Sequence, residues 1–357
     1  MDSLLTHKKS SPGLAFYGLS VDSLTLFGFL FIPLALIIVF FMYPLLAIFF
    51  YSINDMRSLT DPTGSYGLAN FEWVLNNKFF QLATRNTVIF VVASLLGQTV
   101  IGIFSALILN KDNLPGRTFF RAVLLFAWIM PELIVASIFL MIFGNNISIV
   151  NHWLELLGLP RVGWLNDPNI ALFTLILVNI WKGIPLNIII YLTALQGVNT
   201  EYYEAATLDG ASAWQQFWAL TFPFLLPTIV TTLILGTIWT ANVFFLPFVM
   251  TGGGPLDSTL LWSLAIYRTI FQNLQLSRGA AMSVVVYLVL LVIVLLIIAC
   301  SIRPQPTRKG GSNHEIFSAK LVIQTQRCKP FRTLLHGRAQ SGHAVSICLD
   351  DLHLVQG

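Results

Sequence analysis

Long apolar runs alternate with short polar links along most of this chain. The first run, Leu26 to Phe50, carries no charge. It exceeds the roughly 20 helical residues needed to cross about 30 Å of hydrocarbon. It is also longer than the core of a secretory signal, so it reads as a retained span, kinked at Pro33 and Pro44. Further spans are predicted near 86–110, 119–143, 170–195, 223–250 and 280–302. The links carry the polar and turn-forming residues: 52–85 with Asp-Pro-Thr-Gly at 61–64, Lys111–Arg117, 144–169 with Trp153 and Trp164 as surface aromatics, and Thr-Gly-Gly-Gly-Pro at 251–255. The expected fold is therefore an all-α membrane protein, a six-helix polytopic bundle.

One link differs from the rest. Residues 199–222 carry Glu201, Glu204 and Asp209 but no Lys or Arg. Asn199 or Thr200 can cap a helix there. The acidic side chains of its first turns suit the positive end of the helix dipole. Tyr202, Ala205, Ala206 and Asp209 fall at i, i+3, i+4 and i+7 and share a face with two alanines in its middle. Gly210 can take the left-handed conformation that stops a helix. A second short helix with Trp214, Phe217 and Trp218 on one face is expected next, and Pro223 suits the first turn of the fifth span. A docking helix and an ordinary helix–turn–helix loop both fit these residues.

Composition agrees with a membrane protein: of 357 residues, 56% are apolar and 10% charged, against about 25% charged in soluble domains. Six spans put both termini on one side. Lys8, Lys9, Lys111, Arg117, Arg121, Arg303, Arg308 and Lys309 collect there, which marks it as cytoplasmic. The acidic link at 199–222 lies on the same side without contributing to that rule. Three parts follow: a cytoplasmic N-terminal segment (1–25), a membrane domain (26–302) and a tail (303–357). The tail holds eight of the 20 Lys and Arg and no periodic apolar pattern, so it is expected to be a disordered cytoplasmic extension.

Polar side chains inside spans are costly and often functional. They are Gln98, Glu132, Asn179, Lys182, Asn187 and Asn242. Asn242, read as mid-span beside Trp239 and Phe245, offers an amide and aromatic faces, the combination a sugar needs. For it, as for Gln98, Asn179 and Asn187, a substrate contact competes with an interhelical hydrogen bond. Glu132 follows Pro131 and can satisfy backbone groups which that proline frees. The Gly-rich Thr251–Pro255 stretch lacks the Lys and Ser/Thr of a phosphate loop. His152 is the one histidine near the membrane body and has no partner spaced for catalysis. Cys300, Cys328 and Cys348 match no metal or disulfide spacing. Nothing in the sequence requires a cofactor, a metal or a nucleic acid, and no catalytic site emerges.

Glu204-Ala205-Ala206, Asp209-Gly210-Ala211, Phe217, Pro223 and Pro227 together resemble the EAA loop of permease subunits in binding-protein-dependent ABC importers. Asn86-Thr87, Pro115-Gly116-Arg117 with Phe120-Arg121, Trp164-Leu165 with Asp167-Pro168, Trp181-Lys182-Gly183 and Thr251–Pro255 extend the resemblance to the sugar-type members, over residues 26–302. The family usually has proline at Asn199 and leucine at Phe222. The resemblance implies a type I importer permease in a bacterial inner membrane, multi-pass with both termini cytoplasmic. It implies a second homologous permease subunit, a cytoplasmic ABC ATPase dimer that grips the coupling helix through Glu204, Ala205, Ala206, Asp209, Gly210, Ala211, Phe217 and Pro223, and an extracytoplasmic solute-binding protein. Sugar or polyol would cross by alternating access. A stand-alone secondary transporter is the competing reading, and it would want inverted repeats that the halves do not display.

Overall fold

The computed structural model describes residues 23–54, 67–111, 115–144 and 148–301. The N-terminal segment, the Asp61–Gly64 turn and the tail fall outside these residues, apart from the first residues of the opening helix. Among the described residues the fold is helical, without β-sheet. Five helices are long and apolar enough to cross a membrane, or six if one sharply bent pair counts as a single span.

The first span is α1 (Ser23–Ile37) and α2 (Tyr43–Ile53), joined without a break by a π turn at Ile38–Met42. Most of its described side chains, Phe29, Phe40 and Phe41 among them, are exposed, while the end of α2 packs on the last span, with Ser52 buried and Phe49 against Tyr287. The short helix α3 (Ala69–Asn76) follows at the same end as the start of the second span, α4 (Lys78–Leu109). That span begins eight residues ahead of the expected Asn86, because Asn77 caps it: its Oδ1 accepts the N–H groups of Phe79 and Phe80 at 2.9 and 3.2 Å. At about 1.5 Å per residue, α4 is long enough to carry Lys78 and Arg85 beyond the hydrocarbon.

The third span is not the single helix predicted for 119–143. It is α5 (Arg117–Ile129) and α6 (Glu132–Phe143), bent by 96°. Pro131 has no N–H to donate and forces Met130 into an extended conformation, ψ 129°. The loop beyond, with α7 (Ile149–Leu156), is stitched by buried Asn151. Its amide meets Val162 twice, and its Oδ1 accepts from Trp164 Nε1 at 3.1 Å. Trp164 is therefore a packed residue against Phe143, not the surface aromatic expected; Trp153 does stand exposed.

The fourth span, α8 (Ala171–Gln196), lies along α4, and these two helices form the centre of the bundle. Glycines let them approach closely, as in other membrane helix pairs. A Cβ on Gly97 would reach 2.5 Å from Ile180, one on Gly102 2.9 Å from Asn187, and one on Gly183 would overlap the Gln98 amide. Gln98 uses that space to donate to the Asn179 carbonyl at 2.9 Å. Further along α8, Tyr191, whose ring also lies against Gly102, meets Thr232 of the fifth span, hydroxyl to hydroxyl at 2.8 Å.

The fifth span also departs from expectation. After the eight-residue α9 (Glu201–Leu208), α10 (Ala213–Gln216), a π turn at Phe217–Thr221 and α11 (Phe222–Ala241) run as one helix. The expected separate short helix is the foot of the span itself, and Pro223 lies within it, directly after the π turn, rather than in its first turn. The span stops at Ala241, not Met250; α12 (Phe245–Met250) is a separate piece. Pro247 in α12 has no N–H for the Val243 carbonyl. Ser263, on α13 (Trp262–Tyr267), supplies the missing donor at 2.5 Å. Across the same gap, Glu132 Oε1 accepts the Leu246 N–H at 3.1 Å. The expected local role for Glu132 is thus replaced by a bond to a helix more than a hundred residues away. A π turn at Arg268–Gln272 leads to α14 (Leu276–Ser301), the last span, which starts four residues earlier than expected.

Gly183→Leu is expected to destabilise the α4–α8 centre by about 1–3 kcal/mol through overpacking. Thermal unfolding in detergent measures it, and adding Gln98→Ala should recover part of the loss. A Gly183→Leu protein as stable as the native chain counts against the close approach.

Candidate functional site

At one end of the bundle, the end of α8, the helix α9 and the foot of the fifth span form a single polar structure. Asn199 starts it. Its Oδ1 accepts the Glu201 N–H at 3.1 Å, and its Nδ2 donates to Glu201 Oε2 at 3.1 Å. The helix ends in a double backbone closure: Ala211 N–H to the Ala206 carbonyl at 2.9 Å and Gly210 N–H to the Thr207 carbonyl at 3.0 Å. Gly210 has φ +75°, which any other L residue adopts at a steric penalty. Ser212 and Gln215 then form a capping box that launches the fifth span.

Two side-chain bonds fix α9 to that foot, and a third holds the turn after it. The hydroxyls of Tyr203 and Thr221 meet at 2.9 Å, with Thr221 buried. Gln216 Nε2 reaches both the Thr207 hydroxyl at 3.1 Å and the Ala211 carbonyl at 3.0 Å. Trp214, Phe217, Trp218 and Phe222 stack beside it, Trp214 and Trp218 keeping exposed faces. A short helix held at its middle and its end moves with the span rather than flexing on its own.

The exposed surface of α9 includes Tyr202, Ala205 and Asp209 of the expected face and extends beyond it. Tyr203 and Ala206 turn partly inward, while Glu201, Glu204, Ala205 and Leu208 point out at i, i+3, i+4 and i+7. Among the described residues, Glu204 and Asp209 have no side-chain partner. Leu208 is 89% exposed, an apolar group in water on an acidic helix. Sequence reasoning passed over it; its seven-residue offset from Glu201 was the available signal. Of the other residues singled out here, Ala211 and Phe217 are half-buried and Pro223 is exposed.

The polar residues of the spans fall into two groups. Gln98 and Asn179 are buried together in the α4–α8 contact, and Asn187, half-buried, bonds the Gly183 carbonyl of its own helix. Asn242 is exposed, and not mid-helix: it ends α11, with its Nδ2 on the Ile238 carbonyl at 2.8 Å. Trp239 and Phe245 beside it keep exposed faces. Glu132 reaches this same break, and Lys182 lies within its Coulombic range.

The opposite end is built from the other motifs. Buried Asn86 donates to the carbonyls of Asp257 and Leu260 at 3.0 and 3.2 Å, and Thr87 accepts the Trp262 N–H at 3.0 Å. Arg268 pairs with Asp257 at 2.7 Å and also bonds the Gly252 carbonyl. The Gly-rich loop is thereby pinned from behind, with Gly252 and Gly253 at positive φ.

Long apolar helices, broken partway and satisfied across the breaks, with a polar helix displayed at one end, are the build of a polytopic membrane protein. The chain belongs to the family described as binding-protein-dependent transport system inner membrane component, whose model matches residues 98–304. It is similar to the trehalose/maltose transport system permease protein of Thermococcus litoralis, 33% identical over 259 residues covering 72% of this chain and 87% of that protein. It is similar also to the lactose transport system permease protein of Rhizobium radiobacter, 33% identical over 273 residues, covering 74% and 91%. Among solved structures it resembles a chain of a bacterial alginate ABC transporter in complex with an alginate pentasaccharide-bound periplasmic protein. That match has TM-score 0.69 and 26% identity, and covers 79% of this chain and 95% of that one. It is a transport component, as these relatives are, and not itself an enzyme.

Tyr203→Phe removes one bond of the brace, worth about 0.5–1.5 kcal/mol. Amide hydrogen exchange in residues 201–208 is expected to accelerate by up to roughly tenfold, a factor that corresponds to about 1.4 kcal/mol. Unchanged exchange would show that the brace does not hold the helix.

Proposed function

We propose that the chain is the sugar-translocating permease subunit of an ATP-driven importer, and that α9 is the helix through which a cytoplasmic ATPase dimer drives it. The observation that carries this reading is the combination at α9: rigid attachment to the fifth span behind, and an open acidic face with a bare leucine in front. Exposed Leu208 gives an apolar contact for a groove, Ala205 allows close approach, and Glu201, Glu204 and Asp209 offer carboxylates to basic or amide groups. Gly210 and Ala211 set the angle between α9 and the span, while Ala206, Phe217 and Pro223 shape its foot. Displacing α9 then displaces α11, the kind of rigid-body step by which a bundle alternates between inward-open and outward-open states.

Orientation follows from charge. Lys111, Arg117 and Arg121 lie at the α9 end, which supports reading that end as cytoplasmic, with both termini on the same side. The permease domain is 26–302, in a bacterial inner membrane, between a cytoplasmic leading segment and a cytoplasmic tail. The pinned Gly-rich loop and the 148–170 loop then face outward, where an extracytoplasmic solute-binding protein delivers the solute. A second homologous permease completes the pathway. Sugar is favoured as cargo by the names of the relatives and by the break at Asn242, where an amide stands between the exposed rings of Trp239 and Phe245. Gln98, Asn179 and Asn187 serve this pathway indirectly, by holding α8 in place.

The test is co-purification of an ATPase with the full chain, followed by ATP hydrolysis in proteoliposomes with the binding protein and a panel of mono- and disaccharides. Hydrolysis stimulated by one sugar supports the reading; absence of an ATPase from the purified complex opposes it. Gly210→Trp places a bulky side chain where the left-handed backbone penalises it by about 1–2 kcal/mol. It is expected to leave insertion intact and to abolish sugar-stimulated hydrolysis. Normal uptake by a well-inserted Gly210→Trp protein would sink the role given to this turn.

A further inference from the structure

We infer that Gln196 is a positioning residue that couples α9 to the broken third span, by a route separate from α11. This inference rests on the coupling reading above. Gln196 is the last residue of α8, and four residues separate it from α9. Two guanidiniums face its amide; with the amide turned so that Oε1 points at these donors, it accepts from Arg121 Nη2 at 2.6 Å and from Arg117 Nη2 at 2.8 Å. Arg117 and Arg121 stand at i and i+4 in the first turns of α5, where like charges repel. An oxygen between them, at charge-assisted distance from both, offsets that repulsion and fastens the foot of α5 to the end of α8. The Nε of Arg121 is buried and unpartnered among the described residues, so Gln196 is the acceptor that orients this guanidinium.

What lies beyond α5 gives the contact its consequence. The helix runs to the 96° bend at Met130–Pro131. The first residue after the bend is Glu132, whose carboxylate holds the Leu246 N–H at the start of α12. A displacement of α9 therefore has two paths to the gap at Asn242–Phe244. One runs up α11 through the bonds of Tyr203 and Gln216. The other runs through Gln196, α5, the bend and Glu132. The two paths reach opposite sides of the same gap, so moving them together opens or closes it, and moving only one shears it.

Paired spin labels in the full complex, reconstituted in nanodiscs with its co-purifying ATPase and second permease, separate the two paths. Cys300→Ser, Cys328→Ser and Cys348→Ser provide the background. Phe126→Cys on α5 and Leu235→Cys on α11, both exposed, are each paired with Leu288→Cys on α14. Trapping with ATP and vanadate is expected to shift both distances in the native sequence. Gln196→Leu, similar in size but without an acceptor, is expected to lose the α5 shift and keep the α11 shift with the ATPase still bound. Gln196→Glu keeps an oxygen between the arginines and is expected to retain both. Sugar moved per ATP should fall on the order of fivefold or more in Gln196→Leu, the lower end of ordinary allosteric coupling, and recover in Gln196→Glu. An undiminished α5 shift in Gln196→Leu overturns the inference, as does loss of both shifts together. Should Gln196→Leu fail to assemble, Arg121→Gln carries the same expectations and the same refutations. A native complex that captures no ATPase, or shows no shift in either pair, overturns the coupling reading and this inference with it.

Discussion

Hydrocarbon has no hydrogen bonds to offer, so every backbone N–H and C=O at that depth must find a partner within the protein. The long helices meet this condition internally. The two interruptions do not, and the arrangement of the bundle follows from how they are satisfied. Pro131 breaks the third span and Pro247 leaves the Val243 carbonyl without its usual donor. At the second, Ser263 donates to that carbonyl and Glu132 accepts the Leu246 N–H, each from another part of the chain. A carboxylate at the first break thus becomes the cap of the second, and the two discontinuities are tied into one locus beside Asn242, Trp239 and Phe245.

The centre beneath this locus is held differently. Between helices in lipid the hydrophobic effect gives little net attraction, and close packing and interhelical hydrogen bonds take over. Gly97, Gly102 and Gly183 bring α4 and α8 together, and the space left by Gly183 is filled by the Gln98 amide on its way to the Asn179 carbonyl. In the transport reading proposed above, this gives a firm central pair around which a more weakly covered periphery is free to move. The first span, the bent α5–α6 pair and the foot of the fifth span all present uncovered apolar surface, suited to lipid or to a second permease.

The cytoplasmic end, as proposed, works by rigidity. An eight-residue helix is marginal alone in water. Here it is capped by Asn199, closed through Gly210 and fastened at Tyr203, Thr207 and Ala211. Such a helix transmits a push instead of absorbing it, and its outward face remains free for a partner.

Much of this was legible in the residues alone. Runs of twenty and more apolar positions cannot be soluble, so the spans and their approximate places follow from composition. The cap at Asn199 and the stop at Gly210 are local, set by a side-chain oxygen and by the freedom of a residue without Cβ, and local devices read directly from sequence. The tertiary structure decided what depends on distant partners. Met130-Pro131 and Asn242–Phe244 fell inside predicted single spans; both are breaks, and the second is bridged by Glu132 and Ser263, which only packing brings to it. The inward turn of Ala206 and the exposure of Leu208 depend on the Tyr203–Thr221 bond, which no periodicity contains. Gln98 and Asn179 could have faced a cargo or each other's helices, and only the approach of α4 to α8 places them in the contact. Apolar length fixes which segments enter the membrane, since that choice is between each segment and its solvent; which faces meet is a choice among segments, and it is made only when they pack.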